Sequence, residues 1–104
     1  MQVVLAIDAL PDAPLAASAA FHDKHLAEAE ELLSGEEASA LAICLPPAGT
    51  DHDDWRRALA RDLARKWAPR RVNLLGGGGK ESRETALSYL AGASGITGQY
   101  MPLS

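Results

Sequence analysis

Gly76-Gly77-Gly78-Gly79-Lys80-Glu81-Ser82 is the segment of this chain nearest in form to a chemical site. It follows a short apolar run and precedes a helix-forming one, the order in which backbone N–H groups and a lysine hold phosphate at a helix start. A strict phosphate-binding loop needs Gly-x-x-x-x-Gly-Lys-[Ser/Thr]. Here Leu74 stands at the first glycine position, and Glu81, which would meet phosphate with like charge, stands at the hydroxyl position. Gly77, Gly78, Gly79 and Lys80 remain candidates for holding an anion. His22 and His25, with Asp23 between them, lie one helical turn apart, a spacing that can share a metal. No third ligand accompanies them, and His52 beside Asp51 and Asp53 fits a solvated polar face, so no metal site is expected. Arg56, Arg57, Arg61, Arg65, Lys66, Arg70 and Arg71 form a basic cluster able to contact phosphates. Asp62 interrupts it, the formal net charge is −4, and no reading motif is present, so nucleic acid is not an expected partner.

These residues have to be positioned by a small set of elements. Val3 to Ile7 and Ala40 to Leu45 are continuous apolar runs, as in strands buried on both faces of a parallel sheet, and Pro46-Pro47 stops the second. Arg71 to Leu75 makes a third short strand and Ile96 to Leu103 a last one. Leu15 to Leu33, rich in Ala, Leu and Glu, predicts one helix closed by Ser34-Gly35. A second helix, capped by Thr50 or Asp51, runs to about Trp67 before Pro69, and a third spans Lys80 to Leu90. Gly76 to Gly79 form a loop. The order βαβαβαβ predicts one α/β domain over residues 1–104, a three-layer α/β/α Rossmann-like half-domain. Its sheet of about four strands would be mostly parallel and linked by right-handed crossovers.

Size, composition and charge fit that picture. At 104 residues with 47% hydrophobic and 23% charged content, the chain can build a single core. Alanine dominates the apolar share and aromatics are 5%, so small side chains must allow close helix–sheet approach. Charge is uneven: residues 1–54 carry eleven acids against Lys24, while residues 55–104 carry nine bases against three acids. The two halves, or a partner chain, can meet by that difference. Cys44, the single cysteine, has no intrachain disulfide partner and sits in an apolar run as a small buried hydrophobe. Neither a signal segment nor an apolar run of membrane-spanning length is present, so a cytoplasmic protein without a membrane partner is expected.

Two stretches carry a family likeness: LARKWAPRRVN (Leu63 to Asn73) and YLAGASGITGQYMPLS (Tyr89 to Ser104). They resemble the closing half of the short-chain dehydrogenase/reductase family, in which a helix ends "LA.E.APR.IRVN" and the chain finishes "FLAS..S..ITGQ.L.VDGG". On the same alignment VVLAIDALPDAP resembles that family's fourth strand and ALAICLPPAG its fifth. The helix from Trp55 to Trp67 takes the place of the one bearing the catalytic Tyr-x-x-x-Lys pair. The resemblance implies a nicotinamide cofactor and that pair, yet the residues depart from both. No strand–Gly-x-x-x-Gly-x-Gly–helix unit occurs. Counting back from Pro69, the tyrosine falls near Gly49 and the lysine near Asp53. An acid there would oppose the fall in tyrosine pKa that a cation provides. No cofactor and no catalytic residue is expected.

What the resemblance leaves is surface. Trp55, Leu59, Leu63 and Trp67 recur every fourth residue as one stripe, which can serve as core, as contact surface, or as both. In the resembled family this helix builds a four-helix contact between subunits, and the last helix and strand build another. Trp55, Leu59, Leu63, Trp67, Ile96, Gln99 and Tyr100 are therefore the interface candidates. The expected role is a non-catalytic half-domain acting as a homodimer or higher homo-oligomer, or as accessory chain to an active reductase-like subunit. The alternative is a module that binds or transforms a phosphate, nucleotide or acyl-CoA ligand through the Gly76–Lys80 loop.

Overall fold

The computed structural model describes residues 1–103. Four strands, β1 (Gln2–Ala6), β2 (Ala40–Leu45), β3 (Arg71–Gly77) and β4 (Tyr100–Leu103), form one sheet in the order β1-β2-β3-β4, every neighbouring pair parallel. Register places Leu5, Ile43, Leu74 and Tyr100 in one row across the sheet and Ala6, Cys44, Leu75 and Met101 in the next. Successive residues of a strand face opposite sides, so these two rows belong to opposite faces.

The first face is covered by α1 (Pro14–Lys24), α2 (Leu26–Leu33) and α3 (Asp53–Trp67), which follows a one-turn 3-10 segment at Thr50–His52. Phe21, Ala29, Leu33, Leu59, Ala60 and Leu63 pack there against Leu5, Leu41, Ile43, Leu45, Val72 and Leu74. Ala29 and Ala60 are fully buried, so alanine brings helix backbone close to the sheet. The second face carries α4 (Lys80–Gly92) alone, over a smaller cluster of Cys44, Leu75, Ala86 and Leu90.

This arrangement changes the expected handedness. Strand order advances steadily in one direction, so crossovers of a single hand would put every helix on one face. With α4 on the opposite face, the β3–α4–β4 connection has the opposite hand to the other two, against the usual right-handed rule. The third layer exists because of that reversal.

The single helix expected over Leu15–Leu33 is instead two, broken at His25. On an unbroken helix Glu28 would fall in line with buried Ala17 and Phe21. The break re-aims the second half so that Ala29 and Leu33 face the sheet. The glycine loop is shorter than expected, because Gly76 and Gly77 belong to β3 and pair with Pro102 and Leu103. The last strand is shorter too. Residues 96–99 run beside β3 as a strap held partly by side chains: Asn73 Nδ2 donates to Ile96 O (3.0 Å), Gln99 N donates to Asn73 Oδ1 (3.1 Å), and Val72 N donates to Thr97 Oγ1 (3.0 Å). No helix is long and apolar enough to cross a membrane among the described residues.

Candidate functional site

Parallel strands bring their C-terminal ends, and the loops that follow them, to one edge of the sheet, where open α/β folds place ligands. Here that edge is built from the Asp8–Asp12 loop after β1, Pro46–Gly49 after β2, the glycines ending β3, and Tyr100 at the start of β4. Two pockets open on it. One of about 440 Å³ lies between the first two loops, and one of about 350 Å³ lies between Pro47–Ala48 and Gly76–Gly78.

Arg56 sits between them. It lies on α3 three and four residues before Leu59 and Ala60, so the helix turns it inward and leaves it only 1% exposed. Its Nη1 donates to the Tyr100 hydroxyl (3.0 Å) and its Nη2 to the Pro46 carbonyl (3.0 Å). The guanidinium carbon lies 5.5 Å from the Trp55 ring centroid and 5.6 Å from that of Tyr100. Gly76 makes this packing possible: a Cβ there would stand 2.1 Å from the Tyr100 hydroxyl and 2.9 Å from Arg56 Nη1.

His52, also buried, ties the first loop to α3. Its Nδ1 accepts from Trp55 Nε1 (3.1 Å), which leaves Nε2 as the protonated nitrogen donating to Asp12 O (2.8 Å). Trp55 thus contributes one hydrogen bond and one aromatic face to this edge.

The remaining candidates separate. Gly78, at φ +80°, turns the chain from β3 toward α4, and a Cβ there would press on Leu103 and Ser82. Gly79 and Lys80 are exposed at the start of α4, and Glu81 lies in its first turn. His22 Nδ1 donates to Ser18 O within its own helix, and among the described residues no three His, Cys, Asp or Glu side chains are grouped for a metal. The basic cluster disperses: Arg57 pairs with Asp53, Arg65 with Asp62 and Lys66 with Glu30, while Arg71 donates to Leu90 O and Ala93 O at the C-terminal end of α4. Among the described ion pairs, Arg57–Asp53 and Lys66–Glu30 join the basic half to the acidic one, the first within α3 and the second between α3 and α2. Burial pushes the Cys44 thiol up, with Arg83 opposing, which suits an unreactive core residue.

The Trp55–Trp67 stripe proves to be mainly core. Leu59 and Leu63 are buried against the sheet, where helix–sheet packing uses their surface. Trp55 and Trp67 are half-buried on the same cluster, and Trp67 Nε1 donates to Glu30 (2.9 Å). Ile96 packs on the smaller cluster, Gln99 is exposed, and Tyr100 is engaged with Arg56. The sequence placed Arg56 in a basic cluster and His52 on a solvated polar face; burial of both corrects those expectations. The signal for Arg56 was its spacing from Leu59, Ala60 and Leu63, which places a charge on the buried face.

A second surface feature lies on the α4 side. An open groove of about 860 Å³ runs between α4 and β4, lined by Ala86, Met101 and Leu103, with Tyr89 57% exposed beside it.

No curated protein and no solved structure matches the chain. The family model described as short chain dehydrogenase-like protein matches residues 5–103. That match spans the three-layer sheet, the Arg56 edge and the α4–β4 face alike, and the chain belongs to that family.

Proposed function

We propose that this chain is a catalytically silent short chain dehydrogenase-like unit whose role is association, with a second copy of itself seated on the α4–β4 face. The observation that carries this reading is the open apolar groove there. Tyr89 of α4 and Met101 and Leu103 of β4 stand together, and among the described residues β4 pairs only with β3. Aromatic and methionine side chains of this kind favour the centre of interfaces. A two-fold pairing sets the same groove of each copy against the other. The resembled family's use of its last helix and strand between subunits agrees with that choice. The outer face of α3 offers less, since it carries Arg57, Arg61, Asp62 and Arg65 and no exposed large apolar side chain.

The silence of the chain in reduction rests on its residues. Gly49 and Asp53 stand where the catalytic tyrosine and lysine fall, and no Tyr-x-x-x-Lys occurs in the 104 residues. Sedimentation velocity across the micromolar range is expected to move the wild-type chain from monomer to dimer. Tyr89→Asp is expected to stay monomeric, with the melting temperature that the wild-type chain shows at concentrations where it is monomeric. A wild-type chain that remains monomeric throughout overturns the reading, as does a dimer indifferent to Tyr89→Asp.

A further inference from the structure

Arg56 is a permanent charge with no counter-charge among the described residues. A guanidinium keeps its proton in proteins, and taking it out of water is costly unless an acid or a full set of acceptors replaces the solvent. Around Arg56 the protein supplies two neutral oxygens and two aromatic faces. Its Nε is buried without a hydrogen-bond partner among the described residues, and none of the described ion pairs includes it. Yet this side chain forms part of the lining of the 440 Å³ pocket between the loops after β1 and β2. Asp8, Asp12 and Asp51 line the same pocket and are solvent-exposed.

The charge pattern is therefore a buried cation within and exposed carboxylates around the mouth. The two parts act with unequal strength, because solvent and salt screen the exposed acids while the field of a buried charge is screened much less. A carboxylate that enters meets that charge at short range and supplies the counter-charge the described residues lack. A polyphosphate is disfavoured by three acids at the entrance, whereas an amine is favoured there. The volume suits a ligand at the small end of the usual range. We propose that this pocket binds a small amino-carboxylate, its carboxylate completing Arg56 and its ammonium group facing Asp8, Asp12 and Asp51. His52 holds the wall in place by donating to Asp12 O.

The test uses the full ¹⁵N-labelled chain and follows the Arg56 Nε–H resonance during titration with glycine, 4-aminobutyrate, 6-aminohexanoate, acetate and inorganic phosphate. At least one amino-carboxylate is expected to shift that resonance saturably at millimolar concentration, with acetate several-fold weaker, the scale of an exposed charge pair. The exposed triple variant Asp8→Asn/Asp12→Asn/Asp51→Asn is expected to abolish the preference for the amine while acetate still binds. It leaves the buried side chain untouched, so loss of folding is not the readout. An Arg56 resonance that no probe moves saturably overturns the proposal. Phosphate binding more tightly than every amino-carboxylate, or an amine preference intact in the triple variant, overturns it equally.

Discussion

The two faces of one sheet are finished to different degrees. On the face of Leu5, Ile43 and Leu74, three helices close over a core of fourteen buried residues. On the other, α4 alone covers four, and Val4 at the end nearest β1 is 46% exposed. The strands are the same, so the difference comes from the connections. Two crossovers return over the first face and only one, of reversed hand, over the second. One face is thus satisfied within the chain, while the other keeps apolar surface in reserve, and the proposed self-association belongs to that second face.

The largest expected effect separates the two cores directly. Leu74→Ala removes a fully buried side chain from the closed face, where surrounding helices hold the cavity open, and is expected to cost about 3–5 kcal/mol. Leu90→Ala on the α4 face is expected to cost about 2–3 kcal/mol, because a small cluster beside an open groove relaxes into the space more easily. Urea unfolding of both variants at a concentration where the chain is monomeric measures the difference. Equal losses would break the comparison.

An intermediate effect lies where β3 meets the strap at residues 96–99. Asn73 belongs to the α4 face and satisfies both Ile96 O and Gln99 N. Asn73→Ala strands two partly buried backbone groups and is expected to cost about 2 kcal/mol. Amide exchange in the same variant should accelerate at Gln99 while residues in α1 and α2 keep their protection.

The smallest effect is electrostatic and belongs to the closed face. The Lys66 hydrogen bond, with help from Trp67, holds the Glu30 carboxyl below its usual range despite partial desolvation. A folded pKa below the unfolded one means that this contact adds stability in full above the unfolded pKa of about 4.3 and loses it as pH falls through the folded value. Lys66 is largely exposed, so the effect is small. The difference in urea midpoint between wild type and Glu30→Gln should be steady at neutral pH and shrink below that window. A difference that grows on acidification would contradict the assignment.

Much of the fold was legible because buried parallel strands announce themselves. Val3–Ile7 and Ala40–Leu45 are apolar without alternation, Arg71–Leu75 brings Val72, Leu74 and Leu75 around polar Asn73, and each lies within one or two residues of a strand. The break at His25 was not legible, since helix propensity is continuous there and the break answers to the direction of the sheet. The Ile96–Gln99 strap was read as strand because its bonding partner, Asn73, is distant in sequence. At the site, the stripe drawn through Trp55, Leu59, Leu63 and Trp67 ran one residue away from Arg56. A charge at a core position is visible only after Leu59, Ala60 and Leu63 have fixed which face is buried. The resemblance of Asn73 and the Ile96-Thr97-Gly98-Gln99 run to a dehydrogenase acquires a physical meaning here, as the two sides of one hydrogen-bonded clasp.

The unequal finish of the two faces is tested most directly by hydrogen exchange at low and high protein concentration. Amides of α4 and β4 should gain protection as concentration rises through the dimerisation range, while those of α1, α2 and α3 stay unchanged. Protection that rises first on α3, or on neither face, would contradict the account.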